Sequence, residues 1–167
     1  MKIVVVSDSH GNIENLNRVK DKAVEFNAST FIHLGDDYID VDIVDFGEIE
    51  VIRVPGTRCP EYFNKSSQRR IIKNFDGWSF FISHTNEFSK NDSLHKNIDV
   101  ILHGHTHKPE INEKNGIIRI NPGHLIKCKD RGYEPTYCIL DITREFLVAN
   151  IFFLKNDELF ETAAFNR

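Results

Sequence analysis

Five short stretches gather side chains able to bind a cation or move a proton, among them five of the eight histidines. They are Asp8 with His10, Asp36 with Asp37, Thr57 with Arg58, His84, and finally His103, His105 and His107 at alternate positions around Gly104. Carboxylate and imidazole together suit a divalent ion of the Mn, Fe, Co, Ni or Zn kind, and none of the metal-ligand candidates is a cysteine. The D-x-H and H-x-H spacings put alternate side chains on one side of an extended segment. Each stretch taken singly also has a plainer use. An Asp pair after Gly35 fits a turn or helix cap, and His84 alone fits a buried core histidine. The placement of all five in the fold decides between these uses.

Apolar runs at 3–6, 31–34, 51–54, 80–82, 100–102, 117–120, 137–140 and 146–153 are mostly β-branched or aromatic and bounded by Gly, Pro, Asn or Asp, which predicts strands. Several lack alternation, as strands buried on both faces do. Ile13, Leu16, Val19, Ala23 and Val24 predict one face of a helix behind an N-cap at Asn12. Residues 66–75 and 90–97 are expected to form two shorter helices. The order β-α-β, then a strand-rich last third, predicts α/β layers with sheets inside and helices outside. Five predicted strands run directly into the five stretches above. Ligands in α/β sheets bind beyond the carboxyl ends of the strands, so Asp8, His10, Asp36, His84, His105 and His107 are expected to meet. Six donors exceed one tetrahedral site. They suit two ions about 3.5–4 Å apart that share a carboxylate and a hydroxide, the arrangement that hydrolyses phosphate esters.

Composition narrows the partners. With 167 residues the chain is expected to form a single domain, 1–167, with a sizeable core. A net charge of −4 gives no general electrostatic reason to bind nucleic acid or an acidic membrane. The basic clusters Arg69, Arg70, Lys73 and Lys127, Lys129, Arg131 read as solvated faces. Three dispersed cysteines, Cys59, Cys128 and Cys138, argue against a disulfide framework and for a reducing compartment. No stretch has the length of a signal-peptide core or a membrane span. The expected location is cytoplasmic.

The segments "SDSHGN" (7–12), "HLGD" (33–36), Pro-Gly (55–56), "ISHT" (82–85), "GHTHKP" (104–109) and "NPG" (121–123) together resemble the calcineurin-like metallophosphoesterases. Within them the chain looks most like the small prokaryotic YfcE-type phosphodiesterases, which share a fold with the retromer subunit Vps29. The resemblance runs from residue 2 to about residue 150. It implies a four-layer α/β/β/α sandwich with two mixed sheets. It also implies a first divalent metal on Asp8, His10 and His107, a second on His84 and His105, and Asp36 bridging the two. Manganese is the first choice of ion, with Ni, Fe, Zn or Co as the others. The implied reaction is in-line attack on phosphorus by a hydroxide held between the metals, on a small phosphate ester, with Asp36 and Arg58 as the catalytic residues. Asp37 is expected to support or cap, and His33 to give support at a strand end.

Gly56-Thr57-Arg58-Cys59 departs from the family pattern of Gly-Asn-His-Asp or Gly-Asn-Cys-Asp. The Asn carbonyl that ligates the second metal in relatives is replaced by the shorter Thr57 hydroxyl, so a weaker second site is expected. Arg58 stands where many relatives place a histidine that protonates the leaving oxygen. A guanidinium does not release its proton at neutral pH. Either it clamps a phosphate oxygen or it is a surface arginine pointing away. Thr85, Asn86 and His124 also depart from the pattern, and His124 is a candidate to line the cleft. Three functions remain: a metal-dependent phosphodiesterase, a non-catalytic scaffold of the Vps29 type, and a nuclease, which the acidic charge and the absence of a long basic stretch disfavour. Nothing in the sequence sets the oligomeric state.

Overall fold

A computed structural model describes residues 1–64, 66–86 and 97–167. Two mixed sheets pack face to face. The first contains β1 (Lys2–Val6), β2 (Thr30–His33), β3 (Glu50–Arg53), β9 (Thr136–Ile142), β10 (Phe146–Phe153) and β11 (Leu159–Asn166) in the order β11-β10-β9-β1-β2-β3. The second contains β4 (Arg70–Phe75), β5 (Trp78–Ser83), β6 (Val100–Leu102), β7 (Glu110–Lys114) and β8 (Ile117–Asn121) in the order β4-β5-β6-β8-β7. Strands β1, β2 and β3 run parallel, as do β5, β6 and β8. The antiparallel strands flank these parallel centres.

The unalternating run at the start of the chain explains how β1 serves two cores. Ile3 and Val5 point between the sheets and meet Ile32, Leu34 and Val54 of their own sheet and Phe80, Ile82, Leu102 and Ile120 of the other. Val4 and Val6 point outward onto Leu16, Val19 and Ala23 of the helix α1 (Ile13–Glu25). All of these side chains are essentially inaccessible. At about 25 cal/mol per Å² of apolar surface, each Val, Ile, Leu or Phe so placed stabilises by roughly 1.5–3 kcal/mol. Asn12 caps α1 as expected, its side chain accepting the Asn15 N–H. Val24, expected on the buried face, is 57% exposed. It lies at the last turn, where the apolar stripe has rotated off the sheet.

Where a helix is expected over 66–75, residues 66–69 form no regular element and Arg70–Phe75 is β4, paired antiparallel to β5. The two join through Asp76-Gly77, both at positive φ, the hairpin turn that matches strand twist. Asn115-Gly116 does the same between β7 and β8. The helix expected over 90–97 lies outside the described residues apart from Asn97, and His95 lies there as well.

Candidate metal centre

The parallel strands of both sheets end on one side, and backbone hydrogen bonds continue past those ends. The Leu34 N–H bonds to the Val6 carbonyl, the Asp8 N–H to the Gly35 carbonyl, and the Gly104 N–H to the His84 carbonyl, at 2.9, 2.8 and 2.9 Å. This stitching draws the five loops together. Closeness is possible because two of the crossing points lack a side chain. A Cβ on Gly56 would lie 2.1 Å from both the Asp36 nitrogen and Oδ1, and one on Gly104 would lie 1.8 Å from Ser7 Oγ.

Asp8, His10, Asp36, Asp37, His105 and His107 all adopt the left-handed conformation, with φ between 48° and 68°. Non-glycine residues enter this region at a cost, and such strain collects where side chains must be aimed. Here it turns the polar groups inward. Asp8, Asp36, His84 and His107 are nearly or fully buried.

Two donor triads result: Asp8, His10 and His107, and Asp8, Asp36 and His84. Their potential ligand atoms lie within 4.8 Å of one another in each triad. Asp36 spans the pair, with Oδ2 4.0 Å from His10 Nε2 and Oδ1 3.4 Å from His84 Nε2. The proton positions make the case for a cation. His84 Nδ1 lies 2.8 Å from the Leu34 carbonyl, which can only accept, so Nδ1 carries the proton. Its Nε2 then aims a lone pair at Asp36 Oδ1 and has no hydrogen-bond partner. His107 repeats the motif: Nδ1 bonds the Asp130 carboxylate, and Nε2 sits 3.1 Å from Asp8 Oδ1, a buried oxygen likewise without a hydrogen bond. An imidazole nitrogen and a carboxylate oxygen this close are stabilised by a positive charge between them, whether a proton or a metal ion.

Burial would raise the Asp8 pKa, but the adjacent His107, the nearby His84 and the Ser7 hydroxyl outweigh it and hold it at about 2. Burial would lower His107, but Asp8 and Asp130 pull it above its ordinary value. His10 is lowered by burial against the pull of Asp8 and Asp36, and His105 by burial and His84.

His105 and Thr57 fall outside both triads. The Thr57 hydroxyl lies 3.5 Å from His105 Nδ1, and the His105 ring stands 5.1 Å from that of His84. The His105 amide instead donates to Asp8 Oδ2 at 3.0 Å. Arg58 is exposed but does not point away: its backbone N–H donates to Asp36 Oδ1 at 2.9 Å, and Nη1 lies 3.1 Å from His10 Nδ1. Asp37 begins the 3-10 turn Tyr38–Asp42 without a side-chain cap and places Oδ2 3.7 Å from His10 Nδ1.

His33 is fully buried. It accepts the Gly35 N–H at Nδ1 and contacts Ser9 Oγ through Nε2 at 3.0 Å. Ser9 in turn donates to Asp40, which also receives the Gly11 N–H. His124 does not line an open cleft. It accepts the Ile126 N–H and donates from Nε2 to the Tyr133 carbonyl, bracing the segment that carries Asp130. Ser7, Ser9, Asp40 and Asp130 went unmarked in the sequence. Ser7 and Ser9 interleave with Asp8 and His10, but nothing in the spacing marks Asp130.

Residues 1–145 match the model of the calcineurin-like phosphoesterase superfamily domain. The chain belongs to that superfamily. It is 29% identical over 160 residues to phosphodiesterase MJ0936 of Methanocaldococcus jannaschii, a match that spans 87% of this chain and 95% of the relative. The fold is shared with the E. coli phosphoesterase YfcE (TM-score 0.75, 22% identity, 99% and 100% of the two chains). It is shared equally with Chaetomium thermophilum Vps29 (TM-score 0.75, 15% identity, 100% and 99%). For a calcineurin-like phosphoesterase divalent metals are the expected cofactors, and the two triads supply carboxylate and imidazole donors of the right kind. No helix among the described residues is long and apolar enough to cross a membrane.

Proposed function

We propose that this protein is a metal-dependent phosphodiesterase acting on small phosphate esters. The observation that carries the reading is the pair of buried imidazole–carboxylate contacts, His107 Nε2 to Asp8 Oδ1 and His84 Nε2 to Asp36 Oδ1, in adjoining triads. Asp8, His10 and His107 would hold one divalent ion, manganese by preference. Asp36 and His84, with Asp8 beside them, would hold another. Asp36 faces both with its two oxygens, and His105 joins the second site only by a shift of its ring. Such ions supply Lewis acidity: they lower the pKa of a water and neutralise charge on phosphoryl oxygens.

The protein's own groups do the rest. Arg58 stands at the rim with its guanidinium 3.1 Å from His10 Nδ1, placed to hold a phosphate oxygen and to favour the charge that grows there in the transition state. It cannot protonate a leaving oxygen, so esters with acidic leaving groups are the best substrates. An open groove of about 500 Å³ runs from His10 past Asn12 to Ile126 and Lys127. It gives the second ester arm of a diester a place to lie. Residues 1–167 would act as one domain, since β11 completes the first sheet. The free thiols Cys59, Cys128 and Cys138 fit a reducing cytoplasm.

The test is hydrolysis of bis-p-nitrophenyl phosphate and of p-nitrophenyl phosphate by the Mn²⁺-loaded protein. A preference for the diester is expected, and a clear preference for the monoester refutes the reading. The position of Thr57 and His105 outside both triads favours a second one, a metal-poor scaffold of the kind the Vps29 likeness suggests. Elemental analysis separates them. Two ions per chain with turnover supports the enzyme, and one or none without turnover supports the scaffold.

A further inference from the structure

The histidines that aim Nε2 inward are not held alike from behind. His84 Nδ1 bonds a backbone carbonyl. His10 Nδ1 has Asp37 at 3.7 Å, beyond hydrogen-bond length, and the Arg58 guanidinium nearer at 3.1 Å. Among the described residues only His107 has a carboxylate, Asp130, hydrogen-bonded to Nδ1.

Asp130 is itself firmly placed. It exchanges backbone hydrogen bonds with Tyr133, 2.9 Å one way and 2.8 Å the other. The Tyr133 carbonyl is tied to buried His124 at 3.1 Å. Arg131 donates to the carbonyls of His105 and Thr106 at 3.1 and 3.3 Å, so the same segment grips the H-T-H loop from outside. Asn121 grips it from within, bonding the Gly104 carbonyl and the Thr106 hydroxyl. A carboxylate behind a ligating imidazole fixes its tautomer and raises its basicity, and loss of such a partner typically costs 10–100-fold in metal affinity.

We infer that Asp130 is a positioning residue that makes the Asp8–His10–His107 site the tighter of the two, so that the centre fills in order. This rests on the metal-centre reading above. It deepens that reading by assigning the unequal affinity to a residue outside every motif. The Asp130 carboxylate holds a proton of His107 at Nδ1 and turns Nε2 toward Asp8 Oδ1 and His10 Nε2, at 3.1 and 3.3 Å, the other donors of its triad. The second site, lacking such a partner and with Thr57 and His105 turned aside, fills at higher concentration.

The experiment titrates the chelator-treated full-length protein with Mn²⁺ and follows free ion by electron paramagnetic resonance. Wild type is expected to show two steps. Asp130→Leu should weaken the first about 10–100-fold and leave the second where it was, and Asp130→Glu should restore most of the loss. In the metal-free proteins at alkaline pH, ¹⁵N-imidazole spectra should show His107 as the Nδ1–H tautomer in wild type and Asp130→Glu, and as predominantly Nε2–H in Asp130→Leu. A first step unchanged in Asp130→Leu, both steps weakened equally, or an unaltered tautomer would overturn the inference while leaving the metal centre standing. Wild type that takes up no Mn²⁺ would overturn the metal-centre reading itself.

Discussion

His33 offers a quantitative test of how the loops are anchored. It is completely buried, and burial pushes its pKa down to about 3, with Asp8 pulling weakly the other way. The hydrogen bonds say the same: Nδ1 already accepts the Gly35 N–H and leaves no room for a second proton. In the unfolded chain the group titrates near 6.5. Between those values the unfolded state binds one more proton than the native state, so stability rises with pH through this window and is lost as pH falls through it. Going from about pH 7 to about pH 5 should cost about 2 kcal/mol from this residue alone, a large share of the 5–15 kcal/mol that holds a typical domain. His33→Gln keeps a donor for Ser9 but cannot titrate. Urea unfolding of the metal-free proteins at both pH values isolates the effect. Wild type should lose about 2 kcal/mol more than His33→Gln over the interval. Equal losses would show that His33 either takes up its proton in the fold or is not sealed from water, and would refute the account of the Ser9–Asp40 anchor.

Asp36→Asn should lower turnover at least about a hundred-fold and remove the more weakly held ion, read by initial rates and elemental analysis. Arg58→Ala should cost about 10–100-fold in kcat/KM on bis-p-nitrophenyl phosphate, the worth of one charge-assisted hydrogen bond. Arg58→His should improve the rate on an alkyl relative to an aryl ester by supplying an acid, and identical ratios for both enzymes would remove the argument about leaving groups. Gly56→Ala should destabilise by about 1–3 kcal/mol, because its Cβ would collide with Asp36 backbone that cannot rotate away. A melting temperature within about a degree of wild type would mean that this crossing is looser than it looks.

How far the sequence carried these conclusions depended on burial. All eight apolar runs became strands, and the runs in β1, β2, β5, β6 and β9 were plainest because a strand covered on both faces must be apolar throughout. The misread segment 66–75 lies at the second sheet's edge, where β4 has only Ile71 and Phe75 turned toward the core. Its length and mixed polarity copied a helix. The Asp76-Gly77 pair carried the correct answer, since only a tight hairpin calls for two successive positive φ angles there. Strand β7, polar along most of its length, was likewise announced by Asn115-Gly116 rather than by its own residues. In both cases the turn was more informative than the strand.

The site divides in the same way. Asp8, His10, Asp36, His84 and His107 were legible because the loops that carry them follow directly from strands whose direction the apolar runs had fixed. Asp130 was not, because it reaches His107 from a loop between β8 and β9 whose path depends on His124, Tyr133 and Arg131 rather than on any period in the chain. The same reasoning separates His105 from His107. They are identical in spacing and both have positive φ, yet one has a carboxylate behind its ring and the other a neutral hydroxyl at 3.5 Å. Ligand-like spacing brings an imidazole to the centre. What stands behind the ring decides whether its lone pair stays aimed there, and in the proposed two-ion centre that would set which site a scarce ion occupies first.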